Sequence, residues 1–62
     1  MSAKVFKTVN DLRLIEHDFD NYKKYTLELL RINSLGEDIW INASANYTGE
    51  ELAYIISVFL KG

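Results

Sequence analysis

The chain has no cysteine and only one histidine, His17, among its 62 residues. Disulfides and thiolate metal sites are therefore excluded. One histidine also cannot build a multi-histidine zinc site. No apolar run reaches the roughly 18 residues that span a bilayer, so no membrane segment is expected. Met1-Ser2-Ala3-Lys4 is followed by no apolar stretch of the kind that marks a secretory signal, and the expected location is cytoplasmic. Without such a signal, the triplets Asn42-Ala43-Ser44 and Asn46-Tyr47-Thr48 read as chance matches to the glycosylation pattern. Net charge is also small. Seven basic and 9 acidic residues leave a net charge of −2. That argues against a nucleic-acid binder, whose affinity comes mostly from neutralising phosphates. It is equally too little for a DNA mimic. No nucleophile motif, phosphate-cradling glycine loop or zinc pattern occurs. The chain reads as a non-enzyme with no cofactor and no metal.

Hydrophobic content is 48%, ordinary for a globular domain. The 62 residues make one domain, 1–62. A domain of this size buries roughly 60% of its unfolded surface. Its core rarely supplies more than ~3–5 kcal/mol without a disulfide, a metal or oligomerisation. With the first two excluded, oligomerisation remains.

Thr48-Gly49-Glu50-Glu51 has the form of a capping box. It predicts a helix from there to Lys61, with Leu52, Ala53, Ile55, Ile56, Phe59 and Leu60 on a wide apolar arc. Tyr54 lies on the opposite face and Val58 near its border. Two strands are expected before it, Tyr25–Ile32 and Asp38–Ala43, from their β-branched and aromatic content. Ser34 to Gly36 fits a three-residue hairpin loop with Gly36 in the left-handed position. That register pairs Leu30 with Trp40, Leu29 with Ile41 and Leu27 with Ala43. Asp11–His17 reads as a further strand with a bulge between Leu14 and Ile15. Lys4–Val9 reads as another short strand, with a helical turn as the alternative, and Asn10-Asp11 as a turn. The fold class is α+β: a small antiparallel meander of three to four strands with one C-terminal helix packed on one face.

Strand alternation then separates two sets of side chains. Tyr25, Leu27, Leu29, Ile39, Ile41 and Ala43 form the face that the helix covers. Thr26, Glu28, Leu30, Ile32, Trp40 and Asn42 form the other, with three large apolar residues on a face that no second helix reaches. Either the N-terminal segment folds over Leu30, Ile32 and Trp40, or they form an interface, where aromatic anchors are enriched. The interface is the favoured reading. Candidate partner-binding residues are Trp40, Leu30 and Ile32, with Tyr54 and Val58 on the outer side of the helix. The expected partner is a protein, first of all a second copy in a homodimer. His17-Asp18-Phe19-Asp20-Asn21 holds the only catalytic residue types in one place, and reads as a polar turn. Tyr22, Lys23, Lys24 and Tyr25 combine charge with aromatic rings, as single-strand binders do. They read as a solvated hairpin tip.

The strands Tyr25–Ile32 and Asp38–Ala43 and the helix start Thr48-Gly49-Glu50-Glu51 resemble, in element order, small phage-encoded anti-CRISPR and other anti-defence proteins. The resemblance covers a little over half the chain and carries over no functional residue. It implies a non-enzymatic inhibitor that blocks or sequesters a host protein in the host cytoplasm. A small nucleic-acid-binding or regulatory protein and a structural or assembly subunit are the alternatives.

Overall fold

The computed structural model describes residues 2–62. Four strands, β1 (Ser2–Val9), β2 (Leu12–Asp18), β3 (Lys23–Ile32) and β4 (Asp38–Asn42), form one antiparallel sheet in the order β1-β2-β3-β4. A 3-10 turn (Ala43–Ala45) leads to the helix α1 (Gly49–Lys61). This is the expected α+β meander with its helix on one face. The N-terminal segment is strand β1. It lies at the sheet edge rather than across the sheet, so it does not cover Leu30, Ile32 or Trp40.

Local chemistry fixes each reversal. Asn10, at φ 54°, turns the chain between β1 and β2; asparagine tolerates the left-handed region better than most residues. Between β2 and β3, the Phe19 N–H donates to the Tyr22 carbonyl at 2.9 Å, and the two rings stack with centroids 4.6 Å apart. Between β3 and β4, the Asn33 N–H donates to the Glu37 carbonyl and the Gly36 N–H to the Asn33 carbonyl. Gly36 has φ 79°, as the three-residue loop requires. The Asn33 side chain adds to this by accepting from the Leu35 and Glu37 N–H groups, each at 2.9 Å.

The resulting register pairs Leu30 with Trp40 and Leu29 with Ile41, as expected. The ladder stops at Glu28–Asn42. Strand β4 therefore ends one residue earlier than the sequence suggests, and Leu27 and Ala43 are not a ladder pair. The cause is Asn42, whose Oδ1 accepts from the Ser44 N–H at 2.8 Å and starts the 3-10 turn. Ala43 is still fully buried. It joins Leu14, Leu27, Leu29 and Phe59 in the core, with Leu52, Ile55 and Ile56 of α1 packed around them.

The expected bulge in β2 is absent. Leu12, Leu14 and Glu16 alternate regularly toward the helix side, and each is paired in step with β3. The apparent break comes from a charged residue, Glu16, at an inward position and an apolar one, Ile15, at an outward one. The irregularity lies instead in β1, between Val5 and Lys7. Val5 and Val9 are four residues apart and would share a face in a regular strand. With one extra residue between them, Val5 pairs with Ile15 on the far face and Val9 pairs with Leu12 on the helix side. Phe6, at the bulge, meets the Tyr25 ring edge-on at 6.2 Å.

The helix start has the predicted chemistry. The Glu51 N–H donates to the Thr48 hydroxyl at 3.2 Å, and the Thr48 N–H donates to the Glu51 carboxylate at 2.8 Å. Of the expected apolar arc, Leu52, Ile55, Ile56 and Phe59 turn inward, while Ala53 and Leu60 are exposed. A helix with its side chains is about 10–12 Å across, and strands are about 4.8 Å apart. One helix thus covers little more than two strands of four. On the helix side of β1, Phe6 and Val9 remain 41% and 43% exposed.

Two substitutions check this framework. Thr48→Ala removes the cap oxygen and should cost about 1 kcal/mol, read as a lower denaturant midpoint with an unchanged slope. Gly36→Val should destabilise more than Gly36→Asn, because asparagine tolerates positive φ and a β-branched residue does not. Equal effects in thermal melts would contradict the loop geometry.

Candidate partner-binding surface

The sheet face away from α1 is built by outward positions of all four strands. It carries two apolar islands. Val5 and Ile15 are cross-strand neighbours near one end. Leu30 and Trp40 are direct partners near the other, with Ile32 two residues beyond Leu30 and 70% exposed. Leu30 and Trp40 are half-buried without any element lying over them. Their shielding comes from neighbours in the plane of the sheet.

The neighbour that matters is Arg13. Its Nε donates to Glu28 Oε1 at 2.7 Å, and Arg13 and Glu28 are cross-strand partners. Held there, the guanidinium carbon sits 4.4 Å from the centroid of the Trp40 ring. Such a stack uses the planar, weakly hydrated guanidinium on the negative face of the indole. The pair is about three-quarters buried at both side chains, so it is more than a solvated surface contact. Farther along the same face, His17 Nε2 and Thr26 Oγ1 are 3.0 Å apart. The Arg13–Glu28 row thus separates the two apolar islands, and His17 lies beyond Ile15.

The five sequence candidates do not form one patch. Leu30, Ile32 and Trp40 lie together on the open face. Tyr54 and Val58 are 71% and 49% exposed, but they lie on the helix, which packs on the opposite side of the sheet. Tyr54 borders a shallow depression of ≈ 310 Å³ with Tyr47, Glu50, Glu51 and Ile55. Tyr22, Lys23, Lys24 and Tyr25 are also divided. Lys23 turns to the helix side, where its Nζ is 3.7 Å from Glu16 Oε1. Lys24 takes the far face opposite His17. Tyr25 is half-buried on the helix side, and Tyr22 stacks on Phe19. They make no continuous aromatic and basic stripe. Among the described residues, no three of His, Asp and Glu gather as metal ligands would. No described helix is long and apolar enough to cross a membrane.

Two residues of consequence escaped the sequence reading. Arg13 is one; its signal was an opposite charge, Glu28, at the cross-strand position. Glu16 is the other. It is 4% exposed, and its carboxylate accepts from the Tyr25 hydroxyl at 3.3 Å. Lys4 Nζ approaches it at 3.5 Å and Lys23 Nζ at 3.7 Å. Side chains of both flanking strands, β1 and β3, converge on it. The signal was its place in the alternation Leu12, Leu14, Glu16.

No protein-family model, curated protein or solved structure matches the chain.

Two outcomes test this geometry. Arg13→Ala should uncover the indole and shift Trp40 emission to longer wavelength, and Arg13→Lys should give most of the same shift because an ammonium does not stack as a guanidinium does. Glu16→Gln keeps an acceptor for Tyr25; it loses attraction to Lys4 and Lys23 but also the cost of burying a charge, so its net effect should be small. Glu16→Ala also leaves a void and should cost more in a denaturant melt.

Proposed function

We propose that the chain is a non-enzymatic protein-binding module. Two copies associate through the Leu30–Ile32–Trp40 patch, and the dimer blocks or sequesters another protein in the cytoplasm, as the small phage-encoded anti-defence inhibitors it resembles do. One observation carries the reading: a tryptophan, a leucine and an isoleucine share a sheet face that neither the helix nor the N-terminal strand covers. Fully burying an exposed side chain of this kind stabilises by roughly 1.5–3 kcal/mol; Ile32 has most of that to gain and the half-buried Leu30 and Trp40 a part of it. That is large beside the few kcal/mol a domain of this size supplies. The same patch on two subunits can meet itself across a two-fold axis, the commonest arrangement of small homo-oligomers.

The shape supports this reading. The radius of gyration is 12.4 Å, against about 11 Å for a globular domain of this length. A sheet lined on one side only is wide for its core. Tyr54 and Val58, on the other side of the molecule, would stay accessible in such a dimer and are the surface left for the sequestered protein.

The test is light scattering across a concentration series, with Trp40 emission read in parallel. The expected result is a dimer at micromolar concentration with a shielded indole, and a monomer or an unfolded chain for Trp40→Lys. Ile32→Lys, at a position already 70% exposed, should weaken the dimer without unfolding the subunit. A folded monomer at every concentration would overturn self-association.

A further inference from the structure

Strand β3 is ten residues long, and β4 is five. On its β2 side β3 is paired from Lys23 to Leu29. On its β4 side it is paired only from Glu28 to Ile32. The first half of β3 therefore has an open edge in the middle of the molecule.

The direction of its main-chain groups follows from alternation. The Leu30 N–H donates to Asp11, on the β2 side, and the Asn33 N–H donates to Glu37, on the β4 side. Odd-numbered residues of β3 thus point their N–H and C=O toward β4. At Tyr25 and Lys23 no strand is there to meet them among the described residues. The chain has left the edge by then. Asn42 has started the 3-10 turn, and the Ala43 carbonyl accepts from the Asn46 N–H at 2.9 Å.

The vacated space is a cleft of ≈ 260 Å³. Residues Lys24 to Leu27 of β3 form one wall, Leu52 and Ile56 of α1 the other, and Asn42 and Ser44 close one end. An unpaired strand edge accepts one kind of occupant well: another extended backbone. The walls then set the side chains. Occupant residues opposite Tyr25 and Lys23 turn to the helix side, the first of them toward Leu52 and Ile56, so they should be apolar. The residue between them lies opposite Lys24 on the far face. Lys24 makes no ion pair among the described residues, so an acidic side chain suits that position.

We propose that this notch binds an extended segment of another protein, antiparallel to β3, with the pattern apolar–acidic–apolar. The β1 edge of the sheet is poorly suited to the same role. Strand β1 is bulged and carries Lys4 and Lys7, devices that discourage strand addition. The notch is a different place from the Trp40 patch and does not depend on it.

The probe is a blocked pentapeptide of the sequence Thr-Val-Glu-Val-Thr, added to the isotope-labelled full chain and followed by amide exchange. The Tyr25 amide should exchange roughly tenfold or more slowly at saturating peptide. The same peptide N-methylated at both valines should give no protection, since it lacks the donors. Lys24→Glu should bind the peptide about threefold or more weakly and should prefer the version with lysine in place of glutamate. Lys24 is exposed, so this variant should keep its fold. No protection at millimolar peptide would overturn the proposal, as would equal protection by the N-methylated form. Tyr25 protection that rises with protein concentration alone would also overturn it, and would assign the notch to a second copy. Light scattering and Trp40 emission report the dimer separately.

Discussion

One helix of 13 residues has to serve a sheet of four strands, and its width allows cover for only about half of one face. Most of the molecule's surface chemistry follows from that mismatch. Phe59, Ile55, Ile56 and Leu52 close over Leu27, Leu29 and Ala43, and a small core results. Everything beyond it is sheet without a second layer: Phe6 and Val9 at one margin, and the whole opposite face. A larger domain would add a second helix or a second sheet. Here the uncovered side chains are either shielded within the plane of the sheet or left available.

Shielding within the plane explains the two charged groups that matter most. Arg13 is anchored by Glu28 and lies on the Trp40 ring, so a cation takes the place that an apolar neighbour would fill in a core. Glu16 occupies an inward position next to Leu14 and is satisfied by Tyr25, Lys4 and Lys23. Both arrangements draw on adjacent strands of the meander, and both use long side chains whose stems cover apolar surface. On the open face the Arg13–Glu28 pair also lies between the two apolar islands.

Local signals made much of the fold legible in the sequence. The reciprocal Thr48–Glu51 bonds depend on residues three apart, and Gly36 on one φ angle. Once that loop is placed, the pairing of Leu30 with Trp40 follows by counting. The candidate patch was legible for the same reason, since parity alone puts Leu30, Ile32 and Trp40 on one face. Sequence alternation points to the wrong strand for the bulge because Glu16 and Ile15 mimic a parity break in β2, while the real one lies between Val5 and Lys7. Nothing within β1 reveals it; only its pairing with β2 does. Tyr54 and Val58 were correctly expected at the helix exterior. Their separation from Trp40 is a matter of which face the helix occupies. Arg13 over Trp40 joins two strands that are not neighbours in the sheet, and pairwise registers do not show such a contact.

The strand order carries a kinetic consequence. Every strand pairs only with its neighbour in sequence, and the loops that close are short. The entropy of bringing partners together is small at each step, and relative contact order is low for a β-rich chain. Proteins with such topologies fold toward the fast end for their class. The chain also has no proline, so no slow isomerisation phase interrupts refolding. A chain that opens can therefore close again within a short time, because each strand finds its partner next to it in sequence.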